Sequence, residues 1–191
     1  MSTNDNDKSP KKQREPKPKG AGALMAVGMA FLAIVAFGLY SGRLNINQFQ
    51  GTRADTLKQI APRLQFVLRN LTPGLLFLLF SIIYVGIQRG AKGAENPAAG
   101  RDHLIQLPKN ILQNTIEQLL LSVFAQLILV TYLNPGQVLN VIPVMNGLFF
   151  VGRVLFFIGY PNYRGLGFQL SAFPSMAAIG YVGYRYVLNL V

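Results

Sequence analysis

Cysteine is absent from this chain, histidine occurs once, and seven acidic residues stand against 18 Lys and Arg. Without cysteine there is no disulfide, no thiolate nucleophile and no zinc thiolate site, and redox usage leaves the compartment open. His103 adjoins Asp102 but has neither a second histidine nor a carboxylate cluster beside it. It reads as a loop residue, and no metal is expected. Charge is scarce as well: 13% of residues are charged and 51% are hydrophobic. That balance excludes an ordinary soluble domain and points to a polytopic membrane protein.

The net charge of +11 raises nucleic acid as a partner, but its distribution argues otherwise. Six basic residues (Lys8, Lys11, Lys12, Arg14, Lys17 and Lys19) precede the first apolar segment. Residues 1–20 have no core-forming content and read as a disordered basic tail, cytoplasmic by the positive-inside rule. No nucleic-acid partner is expected.

Residues 21–40 are uncharged and long enough to cross the hydrocarbon layer as a helix. Further spans are expected over about 73–88, 110–132, 138–160 and 170–190. The expectation is thus an all-α membrane protein with five transmembrane helices. Between the first two spans, residues 41–71 place Leu57, Ile60, Leu64, Val67, Leu68 and Leu71 at helical spacing, with Lys58, Arg63 and Arg69 interleaved. This amphipathic linker suits either a helix at the membrane interface or a packing element over the bundle. The sequon at Asn70-Leu71-Thr72 abuts Pro73 and the next helix, so it is expected to stay unused. The Gly/Pro/Asn-punctuated stretch 90–109 reads as a loop, and 134–136 as a tight turn.

One acid interrupts the apolar half. Glu117 is the last acidic residue in the chain and falls inside the third span. An ionisable side chain in hydrocarbon costs about 2.5–3.5 kcal/mol, so it marks a functional site by default and calls for a partner. Arg153 in the fourth span is the expected one. At the helical rise per residue, Glu117 lies about 12 Å and Arg153 about 10 Å from the cytoplasmic side. Asn110, Gln113, Asn114 and Glu117 form a polar stripe spaced three or four apart. Tyr160 shares the Arg153 face, and Arg164 follows the Pro161 break. These groups suit a polar pocket between helices; a bare register-fixing ion pair is the simpler alternative.

Taken in order, Asn114-x-x-Glu117, Gly152-Arg153-Val154 with Tyr160 seven residues after the arginine, and Arg164 four residues before Phe168 resemble the MAPEG superfamily, membrane-associated proteins of eicosanoid and glutathione metabolism. Gln88-Arg89 followed by Glu95-Asn96-Pro97 is similar to the segment joining that family's first two helices. The resemblance covers residues 73–191, and it implies a left-handed four-helix membrane bundle over 72–191. The leading span and linker are then additions, as in the mattrin branch.

The resemblance further implies a homotrimer holding reduced glutathione between protomers near the cytoplasmic face. Arg89, Asn114, Glu117, Arg153, Tyr160 and Arg164 would contact the tripeptide. Arg164 and Tyr160 are the catalytic candidates, Arg164 as thiolate stabiliser because a guanidinium next to a thiol lowers its pKa. Glu117 suits the glutathione amine and Arg89 a carboxylate. Three departures reduce the donors: Gly165 replaces a serine, Gln113 an arginine and Phe168 a tyrosine of catalytic members. The implied activity is glutathione transfer to, or reduction of, a lipophilic substrate. A non-catalytic membrane scaffold that binds lipid or protein partners is the alternative. In a eukaryotic cell the implied location is the endomembrane system.

Overall fold

The structure, a computed structural model, describes residues 20–46, 52–96 and 100–190. The tail expected over 1–20 lies outside the described residues, apart from Gly20. Among the described residues six helices carry the fold: α1 (Ala21–Tyr40), α2 (Ile60–Asn70), α3 (Thr72–Ala91), α4 (Gln106–Tyr132), α5 (Pro135–Gly159) and α6 (Arg164–Leu188). Short 3-10 turns at Ala54–Leu57 and Arg101–Ile105 precede α2 and α4. The described residues contain no strand.

Among the described residues four segments qualify by length and apolarity to cross a membrane: Ala21–Tyr40, Ile60–Ala91, Arg101–Tyr132 and Pro135–Gly159. At 25 residues α6 is also long enough, but it buries Gln169, Ser171 and Ser175 and is less apolar as a result. These polar residues face the protein interior. The bundle ends sort cleanly. The N-termini of α1, α4 and α6 gather with the C-terminus of α5 at one end, the near end. The C-terminus of α3 is tied there through Arg89 and Asp102.

Helix boundaries move where local chemistry extends them. α4 starts at Gln106 rather than 110, because Ile105 is fully buried and Asp102 accepts from Lys109 Nζ at 2.7 Å, folding the expected loop onto the helix. The expected turn at 134–136 is instead the first turn of α5. Asn134 Oδ1 accepts from Gln137 N and Gln137 Oε1 from Asn134 N, a reciprocal cap that starts the helix ahead of Pro135. Arg164 likewise opens α6 rather than lying in a loop.

The far end holds the main apolar core. Leu57, Val67, Val130, Val138, Leu139 and Ile142 are each at most 1% exposed, bringing α2 against α4 and α5. Phe66, Val67 and Leu71 point inward while Ile60 and Leu68 stay exposed, so α2 covers the bundle with one face. Arg63 docks it. Its guanidinium donates to the Leu57, Val130 and Leu133 carbonyls at 2.6, 3.3 and 2.8 Å, and the last two are oxygens that the end of α4 leaves unpaired. Halfway along, Gln126 and Asn146 exchange amide hydrogen bonds of 2.6 and 3.3 Å between α4 and α5. Toward the near end α5 and α6 touch through backbone. A Cβ on Gly167 would lie 2.2 Å from Phe156 N, so only glycine permits the approach that seats α6 beside Arg153.

Candidate functional site

The polar stripe on α4 forms one wall of a cleft of about 990 Å³ at the near end. Asn110, Gln113, Asn114 and Glu117 stand on that wall, and α5 contributes Phe156 and Tyr160. From α6 come Arg164, Phe168 and Gln169. The stripe works because residues three and four apart share one helix face, and here that face turns toward the last turn of α5 and the first turns of α6.

Hydrogen bonds orient these groups. Gln106 Nε2 donates to Asn110 Oδ1 at 2.8 Å, and Asn110 Nδ2 donates to Tyr160 Oη at 3.1 Å. The Arg164 guanidinium lies 5.5 Å from the Tyr160 ring centroid, a cation over a π face. Gln113 Nε2 donates to Glu117 Oε1 at 2.8 Å. Both Glu117 and Arg164 remain exposed. Opposite charges thus stand on different walls of the cleft, each with capacity for another partner.

The expected pair of Glu117 with Arg153 does not form within the chain. The ion pairs among the described residues join Lys58 to Asp55 and Asp102 to both Arg89 and Lys109. Arg153, fully buried, donates to Asn114 Oδ1 at 2.8 Å and to Ser171 Oγ. Phe149 and Phe156 flank it, with centroids 5.7 and 4.7 Å from the guanidinium carbon. Matching depth along two helix axes is a height and not a direction. The side chain that points at Arg153 is Asn114, one turn earlier, while the Glu117 carboxylate points outward. Arg153 therefore positions Asn114 from behind the cleft wall.

Arg89 stands apart. Its guanidinium donates to the Ala94 carbonyl at 3.4 Å and faces Asp102 at 3.7 Å, so within one chain Asp102 holds it away from the cleft. Of the six expected ligand residues the structure brings Asn114, Glu117, Tyr160 and Arg164 to the cleft surface and Arg153 just beneath it.

Three features of the site escaped sequence reasoning. Ser171 anchors Arg153. Gln169 is 4% exposed, and its Oε1 has no hydrogen-bond partner. A lone glutamine five residues after Arg164 in an apolar helix was a usable signal. Third, α1 reaches the cleft through Ala21, Gly22, Leu24 and Met25, which no local pattern announces.

Residues 71–184, more than half of the chain, match the model of the MAPEG family. The chain belongs to the MAPEG family. The match begins at the last residue before α3, so its helices are α3 to α6, and α1 and α2 precede it. Transmembrane protein 79 of Mus musculus is similar at 23% identity over 164 residues, which is 84% of this chain and 41% of that protein. The chain thus spans about two fifths of that relative's length. No solved structure matches. A multi-pass MAPEG membrane protein accounts for the all-helical bundle and for the cleft at its near end.

Proposed function

We propose that this MAPEG protein binds reduced glutathione in the near-end cleft. The observation that carries the reading is the convergence, from three helices, of the Glu117 carboxylate, the Arg164 guanidinium, the carboxamides of Asn110, Gln113, Asn114 and Gln169, and the Tyr160 phenol. That donor set fits the ligand. Glu117 accepts from the ammonium group, Arg164 meets a carboxylate or the thiolate, and Asn110 and Asn114 serve the peptide groups. The volume lies at the upper end of the range for small-molecule sites. Bound glutathione would supply a thiol. Arg164 would favour its thiolate form, and Tyr160, stacked under Arg164, would hold the guanidinium in place.

A single chain offers one exposed guanidinium to a ligand with two carboxylates. A homotrimer supplies the remainder if Arg89 of a neighbouring protomer faces the cleft, which also places the binding sites between subunits. In this reading the near end faces the cytoplasm together with the N-terminus, residues 72–191 form the glutathione-binding unit, and lipids surround the bundle.

Whether the thiol is then used is a separate matter, and one observation favours the scaffold reading. A Cβ on Gly165 would lie 3.0 Å from Met25 Cγ, so a side chain next to Arg164 would crowd α1. If a glutathione transferase or peroxidase activity is present, its lipophilic substrate has to get past that helix.

Isothermal titration of full-length protein in nanodiscs with reduced glutathione tests the binding reading. Arg164→Ala is expected to weaken binding about tenfold, equivalent to about 1.4 kcal/mol. Equal affinity in wild type and Arg164→Ala would sink the assignment.

A further inference from the structure

The two arginines of α2 have opposite fates. Arg63 turns inward and spends its guanidinium on three carbonyls, whereas Arg69 is exposed. The depth of Arg69 follows from what flanks it. Arg63 bonds the Val130 and Leu133 carbonyls at the far end of α4, while a Cβ on Gly74 would lie 3.1 Å from Leu119 Cδ1, nearer the middle of the same helix. Between them the chain runs alongside α4 from the far end inward, and α2 and α3 together make one segment apolar enough to span, Ile60–Ala91. By the helical rise Arg69 lies about 13 Å beyond Ile60. At that level the outer surface of α4 is apolar, with Phe124 and Ile128 exposed.

Arg69 is thus an outward-facing cation inside a spanning segment, and such a residue calls for a partner. The chain supplies none. Among the described residues no ion pair reaches Arg69. Asp55, the acid of the far end, pairs with Lys58 at 3.0 Å, and Glu95, Asp102 and Glu117 belong to the near half. A second copy in the same orientation carries those acids at the same heights, so it brings no carboxylate to Arg69.

The surroundings fit a phospholipid. Gln65 and Arg69, four residues apart, share the outer polar edge of α2; Ala61 and Leu68, seven apart, share the apolar flank beside it, and all four are exposed. Side chains tilt toward the N-terminus of their helix, which for α2 is the far end. Arg69 therefore reaches back toward the far headgroups with its stem along apolar surface. Arg43, Arg53, Lys58 and Arg185 stand at that end against Asp55, a balance that favours an anionic headgroup over a zwitterionic one.

We propose that Arg69 and Gln65 bind the phosphate of an anionic phospholipid in the far leaflet, with Ala61 and Leu68 against its acyl chain. The site is separate from the near-end cleft and independent of the glutathione reading.

Tryptophan is absent from the chain, so Leu68→Trp places a single such fluorophore beside Arg69. The full-length protein is reconstituted in vesicles of phosphatidylcholine and phosphatidylglycerol, with bromine on the acyl chains of one lipid or the other, and quenching reports the relative affinity of the two lipids at that point. A preference of about fivefold for phosphatidylglycerol is expected, the effect of one basic residue at an anionic surface. None is expected at Ile83→Trp, on the exposed face of α3. In the Leu68→Trp background Arg69→Gln should remove the preference, Arg69→Lys should keep most of it, and Gln65→Ala should lower it by less than Arg69→Gln. Ala61→Trp repeats the measurement if Leu68→Trp disturbs the fold. Equal quenching by the two lipids at both reporters, a preference that survives Arg69→Gln, or the same preference at Ile83→Trp overturns the proposal. So does shielding of both reporters from either lipid, which would put a second copy of the chain over this face.

Discussion

At the far end of the bundle Arg63 donates to three backbone carbonyls and closes the largest apolar cluster; at the near end Arg153 is buried against an amide, a hydroxyl and two aromatic rings, with no carboxylate partner. The buried polar atoms without hydrogen-bond partners among the described residues fall on Asp102, Gln118, Arg153 and Gln169. Asp102, Arg153 and Gln169 lie near the ends of elements that meet at the near end, and Gln118 is one residue beyond Glu117. Native interiors leave few such atoms, and each calls for a reason such as an ordered water, an ion or a catalytic role. The contrast is between a far end closed over an apolar core and a near end where polar side-chain atoms are left without partners, which is where the ligand is proposed to bind.

Substitutions can break or sharpen that contrast. The largest stability effect is expected from Arg63→Ala, which strips charged hydrogen bonds from three carbonyls and should cost about 3 kcal/mol. Thermal unfolding in detergent would show it, with glutathione affinity unchanged. A smaller loss, about 1 kcal/mol, is expected for Gln126→Leu, because Asn146 Nδ2 keeps its bond to the Ile142 carbonyl at 2.9 Å. The same melts measure it, and a loss rivalling that of Arg63→Ala would move the centre of stability to mid-bundle.

Arg153→Met should change the melting temperature less than either. Ser171 Oγ retains the Gly167 and Phe168 carbonyls at 3.0 and 3.1 Å, Asn114 borders the cleft, and an apolar chain replaces an uncompensated buried charge. Ligand affinity should nevertheless fall, because Asn114 loses the group that aims it. A large destabilisation would mean that Arg153 belongs with the far end in kind. The smallest effect is expected from Asp102→Asn, since Asp102 and its partners Arg89 and Lys109 are all partly exposed. Faster hydrogen exchange confined to Arg101–Ile105 would be its signature.

Much of this was legible in the residues. The apolar runs marked α1 and α3 to α6, and the three-and-four spacing of Asn110, Gln113, Asn114 and Glu117 marked the cleft wall before any coordinate did. Boundaries were less legible. α4 gained a turn, because its N-cap Ile105 is buried and Lys109 ties Asp102 back onto it, and α6 gained more than one, starting at Arg164 directly after the short turn that follows α5. The pairing of Arg153 was misread for a related reason: a depth counted in residues carries no rotation about the helix axis, and rotation decided that Asn114, not Glu117, would face the guanidinium.

What the sequence determined by itself is therefore the class of molecule, its helices, and the identity and height of its polar groups. Each of these depends on hydrophobic length or on the fixed period of a helix. What only the tertiary structure decided is who touches whom. Arg89 turned to Asp102, Arg63 reached the end of α4, and α1 came to rest on Gly165 and Gln169. Such contacts join residues as far apart as 25 and 165, and they are set by the packing of whole helices, which no local pattern encodes.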